Sequence, residues 1–98
     1  MTFDIDEDVV RGSIRCYGVE DQEWMAVEEL SELTTAISHA RRGREGSEEN
    51  LVEEIADAVI GIANVMEIHR IKLEDVDRWI NLKQTRLEHR MMRGAAEE

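Results

Sequence analysis

The chain has 98 residues, with 12 Lys and Arg against 23 Asp and Glu, a formal charge of −11. That length suits one domain with a modest core, and that charge argues against gripping a nucleic-acid backbone, which relies on Lys and Arg. A single cysteine, Cys16, excludes an intrachain disulfide and a cysteine-based zinc site, and no apolar run approaches the roughly 18 residues of a membrane span.

Proline is absent, glycine is sparse, and Ala, Leu, Ile, Glu and Arg recur throughout. That mixture favours helix along the whole chain. The opening MTFDIDEDVV has neither the basic region nor the apolar run of a signal peptide, so a cytoplasmic location is expected. The first helix is expected from about Asp6 to Tyr17, stopped by Gly18. The second begins near Glu20 or Asp21 and continues to about Arg42. RRGREGSEEN, with Gly43, Gly46 and then Ser47 as a candidate N-cap, is the one obvious loop. A third helix follows over about 48–69. After a short break near Arg70–Leu73 comes a fourth, over about 74–93. Residues 1–5 and 94–98 are expected to fray. Short connections make consecutive helices antiparallel, so the expected fold is all-α: a single-domain antiparallel bundle of about four helices.

The second helix contains EELSEL, Glu28 to Leu33. With Trp24 at zero and about 100° per residue, Ala26, Leu30, Leu33, Ile37 and Ala40 fall between roughly 160° and 240°. Glu29 falls at about 140°, inside that arc, and Glu32 at about 80°, on its edge. A carboxylate aimed into a core is costly unless it is paired or bound to a metal.

The third helix offers a counterpart. With Leu51 at zero, Ile55, Val59, Ile62 and Met66 lie between about 20° and 80°, while Glu54 at about 300° and Asp57 at about 240° border that face. Glu29 with Glu32, and Glu54 with Asp57, are three apart, so each pair projects from one side of its helix. In an antiparallel hairpin the pairs can face each other, and four carboxylates together repel. Mg²⁺ or Mn²⁺ relieves that repulsion and leaves positions for water or phosphate oxygens. Taken singly, ExxE and ExxD are also common on solvated acidic helices. A di-iron carboxylate site is excluded because no Glu has a His three residues later.

The fourth helix carries an apolar stripe of Val76, Trp79, Ile80, Leu87 and Met91, with Lys83 in its middle and Arg86 and Arg90 along one side. A lysine so placed can simply snorkel. Beside a carboxylate cluster it can also hold a phosphate.

YG…QEWMAVEELSEL, VEEIADAVIGIANV and K-x-x-R-L-x-x-R together resemble the MazG-like all-α nucleoside triphosphate pyrophosphohydrolases. The likeness extends from about Arg15 to Arg90, and the combined EExxE and ExxD pattern is more specific than either half. The resemblance implies Mg²⁺-dependent hydrolysis of a nucleoside triphosphate to its monophosphate and pyrophosphate. It implies Glu29, Glu32, Glu54 and Asp57 as metal ligands, Glu28 as a helper of the attacking water, and Lys83 and Arg86 as phosphate contacts. Gln22 and Asn64 become candidates for contacting the base, as does Trp24. Many relatives have Asn four residues after the lysine, where this chain has Leu87, a departure at the phosphate and sugar contacts.

Trp24 and Val27 on the second helix, and Ile60 and Ile68 on the third, lie off the main apolar faces. Helices apolar on several sides need several packing partners, so a homo-oligomer, dimer or tetramer, is expected, as the resemblance also implies. The first helix could instead cover these residues. The competing functional class is an acidic helical interaction module without catalysis, antitoxin-like or regulatory.

Overall fold

The computed structural model describes residues 1–97 and contains four α-helices and, among these residues, no strand. They are α1 (Glu7–Tyr17), α2 (Val19–Arg41), α3 (Ser47–Ile68) and α4 (Leu73–Glu97). Each helix lies within a few residues of its expected span, and α4 continues beyond the Arg93 end read from the sequence.

The helix ends follow from local chemistry. Asp6 caps α1, its Oδ1 accepting from the backbone N–H groups of Asp8 at 3.0 Å and Val9 at 3.3 Å. Gly18, at φ 95°, ends α1 by donating its N–H to the Ile14 carbonyl at 2.8 Å, and α2 begins at the next residue. Gly46, not Ser47, occupies the cap position of α3, with left-handed φ of 73°. The end of α3 is a Schellman turn: the N–H of Arg70 donates to the Glu67 carbonyl and that of Ile71 to Met66. Arg70 holds the left-handed position at φ 54°, where glycine is the usual occupant.

α2 and α3 pack along most of their length as an antiparallel hairpin, with α1 laid across both. The seam shares Ala26, Leu33, Ala40 and Leu51 with the stripes read from the sequence but leaves out their larger members. On α2 the residues turned inward are Gln22, Ala26, Glu29, Leu33, Ala36 and Ala40, while Leu30 and Ile37 are exposed. On α3 the corresponding line is Leu51, Glu54, Ala58, Gly61, Val65 and Ile68, while Ile55 and Ile62 are exposed. The spacing of alternating three and four residues is that of two long helices meeting along a narrow line.

Small residues decide where that line runs. A Cβ placed on Gly61 would lie 3.3 Å from the Ala26 Cα, so the backbones approach closely at that level. Among the described residues the hydrophobic core is Val10, Ala26, Ala36 and Ala58, with no large side chain fully buried. The larger aliphatic side chains remain on the flanks. Trp24, Val27 and Ile60 are about half exposed, so α1 does not cover them. Asp4 and Ile5, expected to fray, lie along a cleft between α1, α2 and α3.

α4 packs against none of the other helices among the described residues. The turn at Arg70 leads it away from the hairpin instead of back along it. Its stripe residues Trp79, Ile80, Leu87 and Met91 are all exposed, and Val76 alone is partly covered. The packed body of one chain is therefore three helices, and the expected return of the fourth onto the hairpin does not occur. No described helix is long and apolar enough to cross a membrane.

Candidate metal centre

The α2–α3 seam brings Glu29 of α2 against Glu54 and Asp57 of α3. One carboxylate oxygen from each lies within 4.8 Å of the others, and all three side chains are half-buried. Glu29 and Glu54 occupy seam positions that an apolar side chain would ordinarily fill. Their Oε2 atoms are shielded from water and have no hydrogen-bond partner among the described residues. Such unpartnered oxygens are uncommon in folded proteins and call for a physical reason.

Burial raises the pKa of Glu29 above its ordinary value of 4.5, and the charges of Asp57, Glu32 and Glu54 raise it further. Glu54 shifts upward for the same reasons, burial first and then Glu32 and Asp57. Glu32 stands at the exposed rim, where its charge acts on both. Among the described residues, no Lys or Arg forms an ion pair with any of the four. The donor set is all carboxylate oxygen, acidic and partly dehydrated, which suits a hard divalent cation such as Mg²⁺ or Mn²⁺. Shielded carboxylate oxygens without a hydrogen-bond partner fit such a group.

Gln22 and Asn64, read from the sequence as base contacts, are 6% and 5% exposed and joined directly, Asn64 Nδ2 donating to Gln22 Oε1 at 3.2 Å. They line a cleft of about 340 Å³ that also reaches Glu29 and Asp57. Glu28 is exposed on α2, outside the carboxylate triad.

Lys83 and Arg86 are not brought to the carboxylates. Because α4 does not fold back, they line a separate surface groove with His89, Arg90, Met92 and Arg93. Two features escaped the sequence reading. Ser13 of α1 approaches Asn64 Oδ1 at 3.5 Å, and His69 pairs with Glu23 across α3 and α2. Nothing in helical periodicity signals either, because both join elements distant in sequence.

Compared with known proteins, the chain matches no family model, no curated protein and no solved structure.

Proposed function

We propose that this protein is a Mg²⁺-dependent nucleoside triphosphate pyrophosphohydrolase, converting a nucleoside triphosphate to its monophosphate and pyrophosphate. The observation that carries the reading is the pair of shielded, unpartnered oxygens on Glu29 and Glu54, two members of a cluster with Asp57 in which one carboxylate oxygen from each lies within 4.8 Å of the others. The sequence resemblance to MazG-like enzymes supports the same residues in the same roles.

Glu29, Glu32, Glu54 and Asp57 hold the cation. Bound Mg²⁺ supplies charge neutralisation on the triphosphate and a more acidic water. In the reaction a water oxygen bonds to the α-phosphorus, the bond to the α–β bridging oxygen breaks, and pyrophosphate leaves. Glu28, at the exposed edge of α2, orients that water and accepts its proton. The cleft bounded by Gln22 and Asn64 takes the nucleoside, so the phosphates project toward Glu29 and Asp57.

Neutralising the departing pyrophosphate falls to Lys83 and Arg86, and one chain does not deliver them. The active form is therefore a homo-oligomer in which a second copy's α4 lies over the acidic hairpin. Between Lys83 and Arg93, α4 carries four basic residues and one acid, and its exposed stripe matches the uncovered aliphatic flanks of α2 and α3 in character.

The unpartnered α4 also favours the alternative, an acidic interaction module without catalysis. A thermal-shift series with Mg²⁺ and Mn²⁺ separates the two. A cation that binds the folded state raises its apparent stability by mass action, with a gain that grows with concentration and disappears in Glu54→Gln. Pyrophosphate release from a panel of nucleoside triphosphates then tests the reaction. No cation response and no pyrophosphate would reject the enzyme reading.

A further inference from the structure

Gln22, Asn64, Glu29 and Asp57 line one side of the α2–α3 seam, as an amide pair and a carboxylate pair at two levels. Gln22 lies seven residues before Glu29 on α2, and Asn64 seven residues after Asp57 on α3. Because the helices are antiparallel, seven residues forward on one are matched by seven back on the other. Bonding Gln22 to Asn64 therefore sets Glu29 level with Asp57, two turns or about 10.5 Å along the seam. We propose that the Gln22–Asn64 hydrogen bond pins the register of the hairpin, making these two amides a positioning pair for the carboxylates. This rests on the metal centre of the proposed function for what is positioned, and it adds what positions it.

The rest of the seam does not single out that alignment. The approach of Gly61 to Ala26 lies between the two levels and sets how near the backbones come. Ala36, Ala40 and Ala58 offer similar small surfaces elsewhere along the line, and small side chains lack the knobs that fit one hole only. Charge opposes the observed register, because it gathers Glu29, Glu54 and Asp57 with one oxygen of each within 4.8 Å of the others. Sliding α3 along α2 would part them.

The amide bond is placed to resist that slip. Gln22 and Asn64 are 6% and 5% exposed, and Asn64 Nδ2 donates to Gln22 Oε1 at 3.2 Å. A buried amide that loses its partner costs more than the bond itself contributes, so registers that part the two are penalised. Fixing register is the best-attested use of a lone polar pair in a helical seam. The other side-chain bond between the two ends, His69 with Glu23, is exposed to water, where such a pair contributes little.

Gln22→Met with Asn64→Leu removes both amides, keeps the side chains close to their size and orphans neither partner. Its urea unfolding midpoint in chelator should stay near that of wild type. Spin labels at Glu20→Cys and Val52→Cys, exposed positions at opposite ends of the hairpin, read axial slip directly once Cys16→Ser removes the native thiol. The wild-type amides should give one narrow distance. The double variant should give a broad or split distribution that saturating Mg²⁺ narrows, since binding selects the register in which the ligands meet. Its Mg²⁺ affinity, by calorimetry without nucleotide, should fall at least about tenfold. Gln22→Asn with Asn64→Gln, which keeps an amide pair at that level, should restore it. A single narrow distance, or wild-type Mg²⁺ affinity, in the double variant overturns the proposal, because the amides would then be a packing contact only. Should that variant fail to fold, Gln22→Ala with Asn64→Ala, of the size the seam already carries, is read the same way. Failure of both to fold also overturns the proposal, since the amides would then hold the fold and not its register. If wild type binds no Mg²⁺, the metal-centre reading fails, and the spin-label distances still decide the register.

Discussion

Glu29 and Glu54 are the two residues on which this protein departs from an ordinary helical hairpin. Each occupies a seam position and each holds a shielded oxygen without a partner. With both carboxyls raised above 4.5 in the folded state, the folded protein binds more protons than the unfolded chain between the ordinary value and the raised one. Their contribution is therefore fully present below the ordinary value and is lost as pH rises through the raised one. In chelator, Glu29→Gln should gain melting temperature relative to wild type as pH rises from about 4 to about 8, and saturating Mg²⁺ should remove much of that difference. A wild-type-to-variant gap that stays flat across the range would rule out carboxylate strain at the seam. The same variant should lose at least about 100-fold in pyrophosphate release while keeping its helical content, because it removes a charged ligand but keeps the side chain's shape. Wild-type turnover in Glu29→Gln would sink the site assignment. Lys83→Met should keep the apolar stripe of α4 while weakening nucleotide binding, and unchanged affinity and turnover would mean that Lys83 only snorkels.

At the scale of the elements, the α2–α3 register depends on small residues more than on large ones. Gly61 rests against the Ala26 backbone, and the levels at which Glu29 meets Glu54 and Asp57 follow from that approach. Gly61→Leu forces the helices apart and should cost about 2–3 kcal/mol in denaturant unfolding, the upper part of the range for overpacking a tight contact. It should also weaken the response to Mg²⁺ by spreading the ligands. Normal stability with a normal Mg²⁺ response would mean that the close contact does not set the site. The turn between α3 and α4 supplies a separate check. Arg70 occupies the left-handed position of a Schellman turn at φ 54°, which a side chain adopts at a cost and glycine adopts freely. Arg70→Gly should relieve that strain and raise stability by about 0.5–1 kcal/mol, read from the shift in unfolding midpoint. A loss of stability would show that the arginine side chain, not the backbone, matters there.

At the scale of the molecule, one chain leaves much apolar surface uncovered among the described residues. Among those residues its core holds no large side chain that is fully buried, its aliphatic flanks are open, and the 25-residue α4 packs against no other helix. Sedimentation equilibrium at micromolar concentration should give a dimer or tetramer of the 11.3 kDa chain. A single species at monomer mass that still releases pyrophosphate would refute the oligomer. If a second copy's α4 completes the site, mixing Glu29→Gln protein with Lys83→Met protein should recover about a quarter of wild-type activity in a randomly assorted dimer, since half the molecules are mixed and each holds one intact site. No recovery on mixing, with exchange of subunits demonstrated, would place both residues in one chain's site.

The sequence by itself determined the helices and the identity of the acidic residues. Glycine positions, the Asp6 cap and the absence of proline act locally, within a few residues, so the spans of all four elements could be read from order alone. The three-residue spacing of Glu29 with Glu32 and of Glu54 with Asp57 likewise follows from helical geometry. Only the tertiary structure decided which side of each helix forms the seam. Hydrophobic periodicity places Ala26, Leu33 and Ala40 on one face of α2 together with Leu30 and Ile37, and Ile55 and Ile62 on that of α3, yet the hairpin closes on Ala26, Ala36, Ala58 and Gly61 and leaves Leu30, Ile37, Ile55 and Ile62 exposed. Close packing favours small residues where two backbones meet, a property of a pair of surfaces that one helix's pattern does not contain. The same holds for Lys83 and Arg86, whose distance from the carboxylates depends on the direction in which the turn at Arg70 releases α4. Direction in space, unlike helix length, is not encoded by residue spacing within any single element.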